Sequence, residues 1–240
     1  MIKSSIRNKI KEDILWLLLC KHCRYCRNLI TKSEETCKDC SENLPIIEGE
    51  KCKLCGAEKS RCDCKKRKNR FDGITAPYYY EGKIAECIRM FKFDGREFYG
   101  KNLAKDMANC VLRDFKGIDF DLICYVPFTR QQQKRRKYNQ SMILAKELSG
   151  LLNIPMESVL IKLFENQTQH TLNSINRTGN VFGVYDVCGN VKDKKVLLVD
   201  DIKTTGATLD SCTQILKIRG AQKVYCVTAA LSGKKDEKTE

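Results

Sequence analysis

The sequence lacks a long hydrophobic run. No stretch of its 240 residues approaches the roughly 20 apolar residues that a membrane-spanning helix requires. The longest candidate near the N-terminus, ILWLLLC, ends at Cys20, and Glu12 and Asp13 interrupt the basic segment before it. Leu19 is too large for a signal-peptide cleavage point. We therefore expect a short amphipathic helix here, and a soluble cytoplasmic protein.

Large apolar residues are also scarce between Cys20 and Cys64, where cysteines are concentrated instead. Nine of the 15 cysteines lie between Cys20 and Cys64, mostly in closely spaced pairs. The others are scattered singly, as expected of small core residues in a reducing compartment, which argues against a disulfide framework. Paired cysteines are typical ligands of tetrahedral zinc. We predict two zinc sites, one formed by Cys23, Cys26, Cys37 and Cys40 and the other by Cys52, Cys55, Cys62 and Cys64.

Both sites are expected to be structural. Four sulfur ligands leave no open position for water, and zinc would supply folding free energy that so few apolar residues cannot. Alternatives remain: Cys20 with Cys23 could form the first knuckle, and Cys62 and Cys64 are separated by only one residue. A redox-active pair is a further alternative, although such pairs normally lie in a βαβ unit, which this segment does not show.

The chain is basic, with a formal net charge of +14. Two clusters stand out, KKRKNR at 65–70 and KRRK at 134–137. A basic surface attracts nucleic acid and phosphorylated small molecules through the same Coulomb attraction. Charge alone therefore does not choose between these two classes of ligand.

From residue 71 onward the pattern becomes that of an α/β domain. Strand-like segments (ITAPYYYEG, DLICYVPF, residues 159–162, VFGVYDV, VLLV and VYCVTAAL) alternate with segments of helical spacing (residues 84–91, 96–115, 139–152 and 209–218). This alternation predicts a doubly wound, mostly parallel sheet whose ligand binds at the carboxyl ends of the strands. We divide the chain into residues 1–70, an N-terminal helix and double zinc ribbon, and residues 71–240, the α/β domain.

The segment KKVLLVDDIKTTGATLDSC, from Lys194 to Cys212, carries the strongest functional signal. A strand buried on both faces is predicted at residues 196–199, ending at Asp200, and a helix from about Leu209. The glycine, the threonine hydroxyls and the first N–H groups of the helix would suit a phosphate in the loop between them. The two acids would repel phosphate, so they are expected to face sugar hydroxyls or a divalent metal. A phosphorylated sugar satisfies both halves.

This segment closely resembles the phosphoribosyl-pyrophosphate (PRPP) binding motif of type I phosphoribosyltransferases. In that family the two acids hold the ribose hydroxyls and the loop cradles the 5-phosphate. The resemblance implies PRPP-binding roles for Asp200, Asp201, Lys203, Thr204, Thr205, Gly206, Ala207 and Thr208. An apolar residue is common where Lys203 stands. The structural alternative is that the acids merely end a strand and the threonines cap a helix.

Nearly the whole chain resembles the ComF family, competence-associated proteins in which a double zinc ribbon precedes a phosphoribosyltransferase-like domain. The cysteine knuckles, YEGKIAECIRMFKFDG, VPFTRQQQKRRKYNQS, QHTLNSINRTGNVFG and the Asp-Asp motif occur in the family's order. The matching positions are Lys92, Gly95, Arg136, Asn139, Gln140, Gln169, Arg177 and Asn180. Lys137 stands where that family usually has glycine.

The resemblance also implies roles around the diphosphate. It places a pyrophosphate-binding loop at residues 126–130, including Pro127 and Arg130, with Arg136 nearby. Residues 165–180, with Gln169 and Asn180, fall where these enzymes carry a flexible loop, which would bring Arg177 onto the diphosphate. Arg177, Asp200 and Asp201 are thus the predicted catalytic residues. Alternatively, Arg136 is only a surface charge, and Asn139 and Gln140 only cap a helix.

Three functions are compatible with these features. The first is transfer of a phosphoribosyl group from PRPP, with Mg²⁺, to an unknown acceptor; no general base is evident, and His170 is judged incidental. The second is a non-catalytic competence factor that binds single-stranded nucleic acid through the basic clusters, the zinc ribbons and Tyr78 to Tyr80. The third is a PRPP-sensing regulator. The ComF resemblance implies DNA-uptake partners such as a helicase.

Overall fold

The computed structural model describes residues 21–31, 33–62, 64, 69–93, 96–135, 138–163 and 184–232. The chain divides into two compact units, Met1–Leu44 and Pro45–Glu240. The helix predicted before residue 20 lies outside the described residues, and the domain boundary at residue 70 stays a prediction. Among the helices that the structure describes, none has the length and apolar character that crossing a membrane would require.

The elements follow the predicted order. The first unit contains helix α1 (Lys38–Asn43), and the second begins with a cysteine-rich segment that includes a 3-10 turn at Lys59–Arg61. The later elements are β1 (Gly73–Thr75), β2 (Tyr78–Tyr79), α2 (Gly82–Phe93), α3 (Phe98–Asp114), β3 (Leu122–Tyr125), α4 (Arg130–Arg135), α5 (Gln140–Leu152), β4 (Leu160–Lys162), β5 (Tyr185–Val187), β6 (Lys195–Lys203), α6 (Ala207–Ile218) and β7 (Lys223–Leu231).

The main sheet is parallel, which confirms the predicted fold class. Its strand order is β1, β7, β6, β3, and β2 also pairs with β7. Strands β4 and β5 instead pair with each other as an antiparallel hairpin. The carboxyl ends of β3 and β6 therefore lie side by side, where a doubly wound sheet binds its ligand.

The sheet is covered on both faces, as the apolar run of β6 predicts. Residues 196–199 are all fully buried. Val196 and Leu198 belong to a core cluster that includes Leu209 and Cys212 of α6, while α5 contacts β6 and β3, and α3 contacts β7. Burial on both faces explains why the run does not alternate with polar residues.

Strand β6 is longer than the sequence predicts. Pairing with β7 continues beyond Asp200, because Ile202 pairs with Ala230 and Lys203 with Leu231. The prediction that the strand ends at Asp200 is therefore wrong. Both acids lie inside the last part of the strand, where the regular backbone fixes their directions.

Candidate functional site

Two adjacent carboxylates occupy the end of β6 and contact different elements. The Ser141 hydroxyl, at the start of α5, donates a hydrogen bond to Asp200 Oδ1 over 2.8 Å. The ammonium group of Lys92, at the end of α2, lies 2.8 Å from Asp201 Oδ2. Consecutive strand residues point to opposite faces, which explains why neighbouring acids have separate partners.

Asp200 is held in an environment that disfavours its charge. Burial, followed by the nearby Asp201 carboxylate, raises the pKa of Asp200 to about 7. The Ser141 hydroxyl, the Asp201 N–H group and the Lys92 ammonium oppose this shift. A partly protonated carboxyl can both donate and accept hydrogen bonds, which suits recognition of a neutral diol.

The loop after the acids is shorter than the sequence predicts, because Lys203 still belongs to β6 and α6 already begins at Ala207. Thr204 and Thr205 are exposed, and Gly206 adopts φ +85° immediately before α6. This left-handed conformation favours glycine. The Ala207 N–H donates to Thr205 Oγ1 over 3.3 Å. The loop thus brings hydroxyl groups to the N-terminus of a helix, where the backbone favours an anion. Burial raises the pKa of Tyr185, and the nearby Thr208 side chain opposes this shift.

The loop after β3 lies beside a cavity of about 610 Å³. Its lining combines the end of β3 and the loop after it, α4, the start of α5, and residues in and beside β4: Tyr125, Pro127, Phe128, Thr129, Gln133, Asn139, Met142, Ser158, Leu160, Ile161, Lys162 and Leu163. Thr129 and Gln132 exchange hydrogen bonds of 3.0 Å between side chain and backbone. This capping box fixes the loop conformation.

Asn139 and Gln140 use their side chains within the fold. Asn139 caps α5 by accepting from the Met142 N–H and donates to the Val126 carbonyl over 3.0 Å. Gln140 is only 1% exposed and donates to the Lys92 carbonyl over 3.2 Å. Asn139 thus caps α5, as the helix-cap alternative holds, whereas Gln140 does not cap the helix and instead connects its start to the end of α2.

Several predicted positions lie outside the described residues: Cys20, Gly95, Arg136, Lys137, Gln169, His170, Arg177 and Asn180. Arg130 is the first residue of α4. The predicted diphosphate contacts therefore stay predictions. Sequence reasoning missed Ser141 and gave Lys92 no role. Lys92 was identified only as a position that matches the family, and the contact of each residue with an acid becomes visible only in the structure.

The structure brings together the two predicted sets of four cysteines. Within each set, all four sulfur atoms lie within 4.8 Å of one another. Neighbouring sulfurs in the second set are 3.1 to 3.6 Å apart. Tetrahedral zinc with bonds of about 2.3 Å would place its sulfur ligands roughly 3.8 Å apart. The donor type and spacing therefore fit a structural zinc ion in each set.

The two cysteine segments repeat the same backbone structure. Cys23 N–H donates to Asn28 O and Cys52 N–H to Ala57 O, each over 2.8 Å. The residue after each second cysteine, Arg27 or Gly56, has positive φ. Backbone N–H groups also point at the first sulfur of each knuckle. Burial raises the pKa of these two thiols, but the backbone N–H groups and neighbouring cysteine side chains outweigh it, so that the pKa falls to about 6 for Cys23 and to about 7 for Cys52.

One part of the nucleic-acid hypothesis is wrong. Tyr78 and Tyr79 are only 4% and 3% exposed. Tyr78 pairs with β7, and the Tyr79 hydroxyl accepts from the Glu58 N–H. Rings buried in this way cannot stack on bases. Burial in the core therefore explains Tyr78 and Tyr79, whereas Tyr80 is partly exposed.

Comparison with known proteins agrees with these features. The family described as "Phosphoribosyl transferase domain" matches residues 139–240. Competence protein F of Haemophilus influenzae is 27% identical over 218 residues, covering 85% of this chain and 93% of that protein. Competence protein ComFC of Bacillus subtilis is 25% identical over 224 residues, covering 89% and 87% of the two chains.

Structural similarity is weaker. The purine phosphoribosyltransferase of Pyrococcus horikoshii is 22% identical with a TM-score of 0.32, covering 54% of this chain and 72% of that one. The full-length relatives, the phosphoribosyltransferase match and the two cysteine sets agree with one another. Over most of its length the chain is similar to competence proteins, and residues 139–240 match the phosphoribosyl transferase domain family.

Proposed function

We propose that this competence-related protein binds PRPP together with Mg²⁺ at the carboxyl end of β6. One observation carries the proposal: a half-buried acid pair is followed directly by a hydroxyl-rich loop at a helix N-terminus. Asp200 and Asp201 would accept the ribose hydroxyls. Thr204, Thr205 and the first N–H groups of α6 would hold the 5-phosphate.

The residues also suggest how a phosphoribosyl transfer would proceed. The acids would stabilise positive charge that develops on the ribose as the diphosphate leaves, and the loop after β3 would orient the diphosphate. Magnesium would supply charge neutralisation for the leaving group. No described residue at the acid pair is an evident general base, so the proposal assigns PRPP binding first and leaves the acceptor open.

We also propose that the protein binds two structural zinc ions. Each would bind one of the two cysteine sets and hold the repeated knuckles together. Metal analysis of protein purified without added chelator should find two zinc ions per chain. Cys26→Ser and Cys55→Ser should each remove one.

Isothermal titration calorimetry of the zinc-loaded protein with PRPP and Mg²⁺ tests the ligand. The wild type should bind, and the double variant Asp200→Asn, Asp201→Asn should lose most of the affinity. A matched control is Asp186→Asn, because Asp186 lies on β5, pairs with Arg219 at the end of α6 and does not belong to the acid pair. Absence of binding in the wild type, or undiminished binding in the double variant, would contradict the proposal.

Pyrophosphate release separates the enzyme from a PRPP-sensing protein. Release that depends on an added acceptor would support transfer. Binding without release would favour the sensor. If PRPP does not bind, salt-dependent binding of single-stranded DNA becomes the leading function, because the charge of +14 favours a polyanion.

A further inference from the structure

We propose that Lys92 is a positioning residue that neutralises the charge of Asp201. Through this ion pair, Lys92 makes the acid pair bind hydroxyl groups rather than a divalent cation. This inference rests on the proposed PRPP site. It assigns a function to a contact between α2 and β6, Lys92 Nζ to Asp201 Oδ2 at 2.8 Å. The two side chains are only 16% and 13% exposed.

Low exposure makes this ion pair different from a surface pair. A charge taken out of water needs a partner, and removing one partner leaves the other uncompensated. Lys92 therefore satisfies Asp201 before any ligand arrives. The other acid is satisfied differently, by the Ser141 hydroxyl at 2.8 Å and the Asp201 N–H at 2.9 Å. Neither carboxylate depends on a metal ion to be accommodated.

The position of Lys92 is fixed by the same segment that supplies Ser141. The Gln140 side chain donates to the Lys92 carbonyl over 3.2 Å, and the Tyr138 hydroxyl donates to the Phe91 carbonyl. Phe91 and Tyr138 also pack with ring centroids 5.8 Å apart. The end of α2 and the start of α5 thus form one connected group that orients both acids.

The positive charge of Lys92 affects which ligands the acid pair can bind. A cation 2.8 Å from one carboxylate oxygen repels a divalent cation that approaches the same carboxylate. The same cation does not prevent a hydroxyl group from donating a hydrogen bond to the carboxylate, since each oxygen accepts more than one. Lys92 therefore selects for a neutral diol, and Mg²⁺ would enter with the diphosphate of PRPP instead of binding first to the acids.

Titration of the zinc-loaded protein with Mn²⁺, followed by electron paramagnetic resonance without PRPP, tests this selection. Wild type and Asp201→Asn should bind Mn²⁺ equally weakly. Lys92→Gln should gain a site that is at least about tenfold tighter. Lys92→Arg, which retains the charge, should restore the wild-type result. Lys83→Gln is the matched control on α2, because Lys83 pairs only loosely with Glu86 at 4.0 Å.

Two results would overturn the inference. One is a Mn²⁺ site in the wild type that is lost in Asp201→Asn. This result can be obtained without any Lys92 variant, so the test remains decisive if Lys92→Gln fails to fold. The other is a folded Lys92→Gln protein whose Mn²⁺ affinity equals that of the wild type. Because these measurements omit PRPP, they are independent of whether PRPP is the natural ligand.

Discussion

Loss of zinc from the second cysteine set, Cys52 to Cys64, should lower the stability of the α/β domain. Loss of zinc from the first set, Cys23 to Cys40, should lower it less. The test replaces Cys55 by serine and compares it with Cys26→Ser, because these cysteines occupy the same position in the repeated knuckle. Both are partly buried, and neither forms a disulfide bond. The first cluster lies in the separate compact unit that ends at Leu44.

The expected magnitude follows from contacts between the second cysteine segment and the sheet. Ile47 is 1% exposed within the domain core, and burial of such a side chain is worth about 2 kcal/mol. Its N–H donates to Pro77 O, and Tyr79 N–H donates to Pro45 O, each over 2.8 Å. These bonds contribute about 1 kcal/mol each. Their loss would lower the unfolding free energy by about 4 kcal/mol.

Other contacts connect the same segment to the domain. Lys51, next to Cys52, lies 2.9 Å from Asp114 at the end of α3, and the Arg61 guanidinium lies 4.3 Å from the centre of the Tyr79 ring. If zinc orders this segment, its removal weakens all of these contacts together. About 4 kcal/mol corresponds to a fall in Tm of roughly 10 °C for a domain of this size.

Differential scanning calorimetry of zinc-loaded wild type, Cys55→Ser and Cys26→Ser measures this difference. The main transition should fall by roughly 10 °C in Cys55→Ser and by clearly less in Cys26→Ser. Excess chelator should move the wild-type transition toward that of Cys55→Ser. Equal shifts in the two variants, or no shift in Cys55→Ser despite loss of one zinc ion, would refute the reasoning.

Three further predictions concern the α/β domain. Because burial raises the pKa of Asp200 to about 7, the native state retains a proton that the unfolded chain releases. The unfolding free energy should therefore fall as pH rises from about 4 to about 7, and pH-dependent chemical denaturation should show a smaller fall in Asp200→Asn. Gly206→Ala should cost about 1 kcal/mol because φ is +85°, and calorimetry should show weaker PRPP binding. Asn139→Ala should lower the free energy of unfolding in urea by about 1 kcal/mol, since the cap of α5 is lost; an unchanged midpoint would contradict the observed cap.

Local features of the sequence were sufficient to predict most elements. The apolar run of β6 predicted a strand buried on both faces, and Ile84, Cys87, Ile88 and Phe91 predicted the buried face of α2. The spacing of the cysteines predicted both sets of four sulfurs. These predictions were possible because the spacing of apolar residues in helices and strands, and the spacing of cysteines around a metal ion, depend on residues that are close in the chain.

The sequence by itself thus determined the fold class, the cysteine sets and the position of the acid pair. Only the tertiary structure showed that β6 continues past the acids, that Tyr78 and Tyr79 are buried, and that Lys92 and Ser141 hold the two carboxylates. Each of these facts depends on contacts between segments distant in the chain. No local periodicity encodes such contacts, because they are decided by how helices and strands pack around the sheet.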